Sequence, residues 1–118
     1  MKQFEGNEFA VEVLSRGSFV DATYPDKVYQ VETMTLRVNW VAMNEYNTHP
    51  VMDREDFDTD DEWAEFEVRR IDTQKEWRKK LLRAMGLEDG KGVIYVMQVV
   101  SEIFAVCRMT ELNTVRKA

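Results

Sequence analysis

Met34, Leu36, Val38, Trp40 and Ala42 alternate with Thr33, Thr35, Arg37 and Asn39, the clearest period-two pattern in the chain. A strand repeats its side-chain direction every second residue, so the pattern predicts a strand across Tyr29 to Met43. One face is apolar and one is wet, which suits an antiparallel sheet. Phe9, Val11 and Val13 alternate with Ala10 and Glu12 and predict a shorter strand before it. Arg16-Gly17-Ser18 then reads as a turn, with Phe19 to Tyr24 returning as the second arm of a hairpin. Pro25-Asp26 breaks the chain after that arm. Two more strand runs stand near the C-terminus, Val93 to Val100 and Ile103 to Met109, separated by Ser101-Glu102. Gln98, Ser101, Glu102 and Arg108 interrupt this apolar stretch, which therefore reads as buried strand and not as a membrane span.

The period changes in the middle of the chain. Trp77, Leu81, Ala84 and Met85 recur at helical spacing and form an apolar stripe. Asp72 is a suitable N-cap for that helix and Gly86 a suitable stop. Arg78, Lys79, Lys80 and Arg83 crowd its C-terminal half, where cations complement the helix dipole. Upstream, Thr59 and Glu62 have capping-box spacing, so another helix is expected to begin near Asp60. Ala64, Phe66 and Val68 also alternate with Glu65, Glu67 and Arg69, a strand pattern. The ion-pair spacings Glu65–Arg69 and Glu67–Arg70 favour the helix. Asn44 to Asp58, with Asn47-Thr48-His49-Pro50 inside it, reads as a long loop, Glu88 to Gly92 as a turn, and Asn113 to Ala118 as a frayed tail.

These elements predict an α+β fold in a single domain, residues 1–118. An antiparallel sheet of four to six strands packs against one or two helices. The predicted core is Val11, Val13, Met34, Leu36, Val38, Trp40, Leu81, Met85, Val96, Phe104 and Val106. The composition agrees with a globular chain: 44% of its 118 residues are hydrophobic and 32% charged. Cys107 is the sole cysteine, so no internal disulfide forms and a reducing compartment is expected. The N-terminal MKQFEGNEF lacks the apolar core of a signal peptide. The resulting expectation is a cytoplasmic protein that does not engage a membrane.

Charge is where the chain departs from an ordinary globular sequence. Asp53 to Glu67 holds nine acidic residues and one arginine, a charge of −8 within a chain of −6, which leaves +2 elsewhere. Acidic side chains at a helix N-terminus are stabilising by about 0.3–1 kcal/mol each. That accounts for Asp60, Asp61 and Glu62, but not for nine carboxylates that repel one another. The expected role is a docking surface made of Asp53, Glu55, Asp56, Asp58, Asp60, Asp61, Glu62, Trp63 and Glu65, facing a basic surface of a partner protein. A row of carboxylates can imitate phosphates, so nucleic-acid-binding proteins are candidate partners and an inhibitor that mimics nucleic acid is a candidate function. Direct binding of nucleic acid is not expected. Self-association, with the acidic run of one copy on the basic helix of another, is a further candidate.

Two metal readings compete. Asp56, Asp58, Asp60 and Glu67 resemble the oxygen-ligand spacing of an EF-hand calcium loop, but Asp61 stands where that loop turns on glycine. A carboxylate-bound metal enzyme is the other, for which the sequence names no base. The expectation is a non-catalytic protein without cofactor or metal. His49 and Cys107 are expected as an exposed loop residue and a buried small hydrophobe. Lys75, Lys79 and Arg83 share one helix face, which reads as an ordinary wet surface. Trp40 and Trp77 are assigned to the core and Trp63 to an interface.

Overall fold

β2, Lys27–Val38, is the strand that the alternation predicts, but it stops five residues early. The computed structural model describes residues 7–24 and 27–112. Asn39 ends the strand. Its backbone is extended, and its side chain accepts a hydrogen bond from the Ala42 N–H at 3.0 Å, which caps helix α1, Trp40–Tyr46. Trp40 therefore leaves the sheet and is 61% exposed, not part of the core. The period-two pattern continued through Ala42, but the cap at Asn39 overrode it.

β1, Val11–Tyr24, is one strand of 14 residues and not two arms around a turn. It runs antiparallel to β2 past Arg16-Gly17-Ser18, with Gly17 opposite Thr33. A Cβ at Gly17 would lie 2.7 Å from Thr33 Oγ1, so the glycine permits a close approach between strands. The residues joining β1 to β2, Pro25 and Asp26, lie outside the described residues, as does the tail from Asn113.

A short 3-10 turn, Arg54–Asp56, follows α1 and leads into α2, Asp60–Met85. The two helices expected from sequence are one helix of 26 residues, and Asp72 lies inside it. The expected capping box is present: Glu62 N–H donates to Thr59 Oγ1 at 3.1 Å, and Thr59 N–H donates to Glu62 Oε1 at 3.2 Å. Gly86 ends the helix at φ 77°, the left-handed conformation that glycine adopts without penalty.

β3, Val93–Val100, and β4, Ile103–Glu111, form the second hairpin. The sheet is open and antiparallel throughout, in the order β1-β2-β4-β3. Both helices lie on one face. The core there is Met34, Leu36 and Val38 of β2, Phe104 and Val106 of β4, Ala42 of α1, Trp77 and Leu81 of α2, and Leu87. Val11, Val13, Met85 and Val96, also expected in the core, are half-buried at its rim. At one end of the same face Arg108 reaches Glu32 at 2.8 Å and Asp89 at 3.0 Å, tying the turn after α2 to the sheet. The Lys91 backbone N–H, and then Arg108, hold the Asp89 carboxyl below its ordinary range.

The C-terminal half of α2 supplies the core residues, while Val68 and Ile71 in its other half are exposed. The two ends of α2 thus do different work: one closes the core and the other carries the acidic run. Among the described residues no helix is long and apolar enough to cross a membrane.

Candidate functional site

The acidic run is built on an ordered platform. His49 turns inward from its loop, half-buried, with its ring 5.8 Å from that of Phe66 and its Nδ1 3.2 Å from Thr73 Oγ1. It is not the exposed loop residue expected from sequence. Phe57 also meets Phe66, with the two rings tilted by 45° and their centroids 5.2 Å apart. Gln74 Nε2 donates to the Tyr46 carbonyl at 3.2 Å, so α2 also holds the end of α1. Arg54, the one cation in the run, fastens the entrance to α2: its Nε donates to Asp60 Oδ1 at 2.5 Å and its Nη1 to the Phe57 carbonyl at 2.8 Å.

On this platform the nine carboxylates divide into two groups. Asp56 accepts from the Asp53 N–H at 3.1 Å, Asp60 pairs with Arg54, and Glu62 closes the capping box. Glu67 takes two hydrogen bonds from Arg70, both at 3.0 Å, which hold its carboxyl below the ordinary range. Glu55, Asp58, Asp61 and Glu65 are exposed, and among the described residues no side chain or backbone group engages them. Asp53 is exposed as well. Local structure therefore accounts for part of the run, and four charges remain displayed along the 3-10 turn, the bend after it and the start of α2.

The calcium-loop spacing has a different fate. Asp60 to Glu67 is two turns of helix and not a loop. Among the described residues no group of three or more His, Cys, Asp or Glu side chains is placed to hold a metal ion. Cys107 sits on the far face of the sheet from the helices, opposite Thr33 and Tyr95, and is half-buried rather than buried.

Lys75, Lys79 and Arg83 are exposed on α2, as their spacing implies. Lys79 lies 3.3 Å from Glu76 and Arg83 lies 3.4 Å from Glu88, so neighbours neutralise two of the three. On a straight helix Asp61 and Lys79 stand about 27 Å apart at 1.5 Å per residue, several times the screening length of about 8 Å in physiological salt. The acidic end therefore does little to repel an anion from the basic end. The basic segment has other duties: Lys80 pairs with Glu45 at 2.6 Å, and Arg78 donates to the Ile94 carbonyl, bonding α2 to β3.

Trp63 is half-buried, and its indole Nε1 is enclosed without a hydrogen-bond partner among the described residues. Enclosed in this way, the donor is not displayed at the surface. An enclosed orphan donor costs about 1–3 kcal/mol, so Trp63→Phe, which removes the donor and keeps an aromatic ring, is expected to leave stability unchanged or raise it by about 1 kcal/mol. Thermal melts of the two proteins check this. A loss of several degrees would show that the indole is better satisfied than its surroundings indicate.

Sequence reading missed two features here. The inward turn of His49 has no local signal, because its partners Phe66 and Thr73 are 17 and 24 residues away. The other is the exposure of β3: Val93, Tyr95, Met97, Val99 and Val100 are open to solvent, where an apolar run broken only by Gln98 reads as buried strand. No known protein family, no characterised protein and no solved structure matches this chain.

Proposed function

We propose that this protein is a non-catalytic binding protein that docks its acidic lobe onto a basic surface of a partner protein, and that it works in the cytoplasm. The observation that carries the reading is the set of four exposed carboxylates, Glu55, Asp58, Asp61 and Glu65, left without an internal partner on a platform held by His49, Arg54, Phe57 and Phe66. Like charges so displayed cost stability, and a docking role offsets that cost. Charges whose backbone is already folded lose less entropy when a partner pairs with them than charges on an unfolded segment. Asp61 and Glu65 are neighbours on one helix face, about 5–6 Å apart at i,i+4 spacing, which suits a cleft that grips successive phosphates. Nucleic-acid-binding proteins are therefore the preferred partners, with the acidic lobe competing for their nucleic acid.

The test is a charge-neutral variant, Glu55→Gln, Asp58→Asn, Asp61→Asn and Glu65→Gln, compared with the parent chain. Basic proteins captured by the parent at low salt are identified and their affinities measured against salt. The variant should bind at least about tenfold more weakly, with slower association and a flatter salt dependence. Its melting temperature should equal the parent's or exceed it, because repulsion falls. The nucleic acid of the captured partner should displace the parent chain. Equal binding by both forms would sink the proposal.

A further inference from the structure

A cavity of about 260 Å³ separates α2 from β3, and its walls suit an organic anion. Tyr46, Trp77 and Phe104 close it on the core side, with ring centroids 4.8 to 5.2 Å apart. Ile71 of α2 and Val96 of β3 line it as well. Ile71 is 43% exposed and Val96 half-buried, so apolar surface is left uncovered where helix and strand part. The volume lies near the low end of the roughly 300–1,000 Å³ of ligand clefts, which points to a small ligand.

Helical spacing builds the polar wall. Arg70, Gln74 and Arg78 follow one another at i,i+4, as do Ile71 and Lys75, so two adjacent rows of α2 line the same space. From Arg70 to Arg78 the wall rises about 12 Å at 1.5 Å per residue, room for a molecule of two fused rings.

Charge selects the ligand. Among the described residues three cations line the cavity and no carboxylate does, in a chain of net charge −6. Glu67 neutralises Arg70. Arg78 donates through Nη2 to the Ile94 carbonyl, a neutral group, so its charge stays uncompensated and its other donors stay available. Lys75 has no ion pair or hydrogen bond among the described residues, whereas Lys79 and Lys80 farther along the helix are both paired. Two uncompensated positive charges therefore stand beside an aromatic floor. Hydrogen bonds from such cations to an anion are about twice as strong as neutral ones, and partial exclusion of water strengthens them further.

We propose that this cavity binds a small aromatic anion, of which an aromatic carboxylate is the simplest. Its ring lies between Ile71 and Val96 over the floor of Trp77 and Phe104, where ring edges and faces attract one another. Its carboxylate lies against Lys75 and Arg78. The site uses none of the four displayed carboxylates of the acidic lobe, so it holds or fails independently of the docking role.

Isothermal titration calorimetry with 2-naphthoate tests this. At about 0.05 M salt the parent chain should bind one equivalent with a Kd of about 1 mM or tighter. The neutral 2-naphthalenemethanol, of similar shape, should bind at least about tenfold more weakly. Lys75→Gln should weaken 2-naphthoate at least about fivefold and leave the alcohol unchanged. Ile71→Trp puts a larger ring into the cavity and should exclude both compounds. Arg69→Gln removes an equal charge from an exposed neighbour that does not line the cavity, and should change neither affinity. All three replaced side chains are exposed, and thermal melts should show the variants folded. In NMR spectra 2-naphthoate should shift the Trp77 indole N–H and the side-chain amides of Gln74 and Gln98, and leave Asp58 and Asp61 unmoved. No saturable binding up to about 5 mM would overturn the proposal. So would equal affinity for acid and alcohol, a preference for decanoate over 2-naphthoate, or indifference to Lys75→Gln. A loss in Arg69→Gln equal to that in Lys75→Gln would also refute it, since overall charge and not this cavity would then set the affinity.

Discussion

Trp77→Ala is expected to destabilise the protein by about 3–5 kcal/mol, the usual cost of truncating a core aromatic. Trp77 is 3% exposed and stands where the elements converge. Its ring lies 5.9 Å from that of Phe9, 4.8 Å from Tyr46 and 5.1 Å from Phe104, so it joins the N-terminal segment, α1 and β4 to α2. Its indole N–H donates to the Ala42 carbonyl at 2.7 Å, a buried bond between the two helices. The alanine variant loses the ring contacts and leaves that carbonyl without its donor. Small domains are stable by only about 5–15 kcal/mol, so a large part of the total is at stake. Trp77→Phe keeps a ring and loses the bond, and should cost less, about 1–3 kcal/mol. Urea denaturation of the three proteins gives the order. Trp63→Ala belongs in the same series: its ring is half-buried and outside the core cluster, so it should melt above Trp77→Ala. The reverse order would put the structural centre at the acidic end of α2.

The division of labour along α2 explains what was legible in sequence. Caps act locally, so Thr59 with Glu62 marked the helix start and Gly86 its end, and both hold. The stripe at Trp77 and Leu81 identified the buried half of the helix, and both residues are buried. Asp72 reads as a cap because its side chain is suited to one. No break in the backbone accompanies it, and the helix runs through. Gly17 reads as a turn for a similar reason. Its glycine serves the pairing of β1 with β2, a contact between residues 16 apart in sequence. Strand partners decide such cases, and a single strand does not name its partner.

β3 shows the same limit in reverse. Its eight residues hold seven apolar side chains, a pattern that fits a central strand packed on both faces. The topology places it at an edge instead, because β4 sits between it and β2. Hydrophobic pattern reports where a side chain is stable, not which strand lies beside it. The acidic run was legible as a concentration of charge. Which of its carboxylates are free was not, since Arg54, Thr59 and Arg70 claim their partners only in the folded geometry.

Asn39→Ala should cost about 2–4 kcal/mol, combining a lost helix cap of about 0.5–2 kcal/mol with the orphaning of buried backbone groups. Asn39 is 3% exposed, and its side chain makes three hydrogen bonds. Oδ1 accepts from the Ala42 N–H at 3.0 Å and from the Ala10 N–H at 3.3 Å, and Nδ2 donates to the Glu8 carbonyl at 2.5 Å. One side chain thus turns β2 into α1 and fastens the chain ahead of β1 beside it. Asn39→Asp separates the two duties. A carboxylate keeps both acceptor bonds and is as good a cap as asparagine, but it cannot donate to Glu8. Its cost should be smaller, about 1 kcal/mol, and confined to the N-terminal segment. Amide exchange distinguishes the variants. Asn39→Ala should speed exchange at both Ala42 and Ala10, whereas Asn39→Asp should leave Ala42 protected. If Asn39→Ala melted with the parent, the end of β2 would have to be set by packing of Ala42 and Tyr46 alone. The consequence reaches the acidic lobe. α1 leads directly to His49, which holds the loop against Phe66 and Thr73. Had β2 continued through Met43, as its alternation suggests, the loop would start beyond the end of the sheet and the carboxylates would lose the platform that displays them.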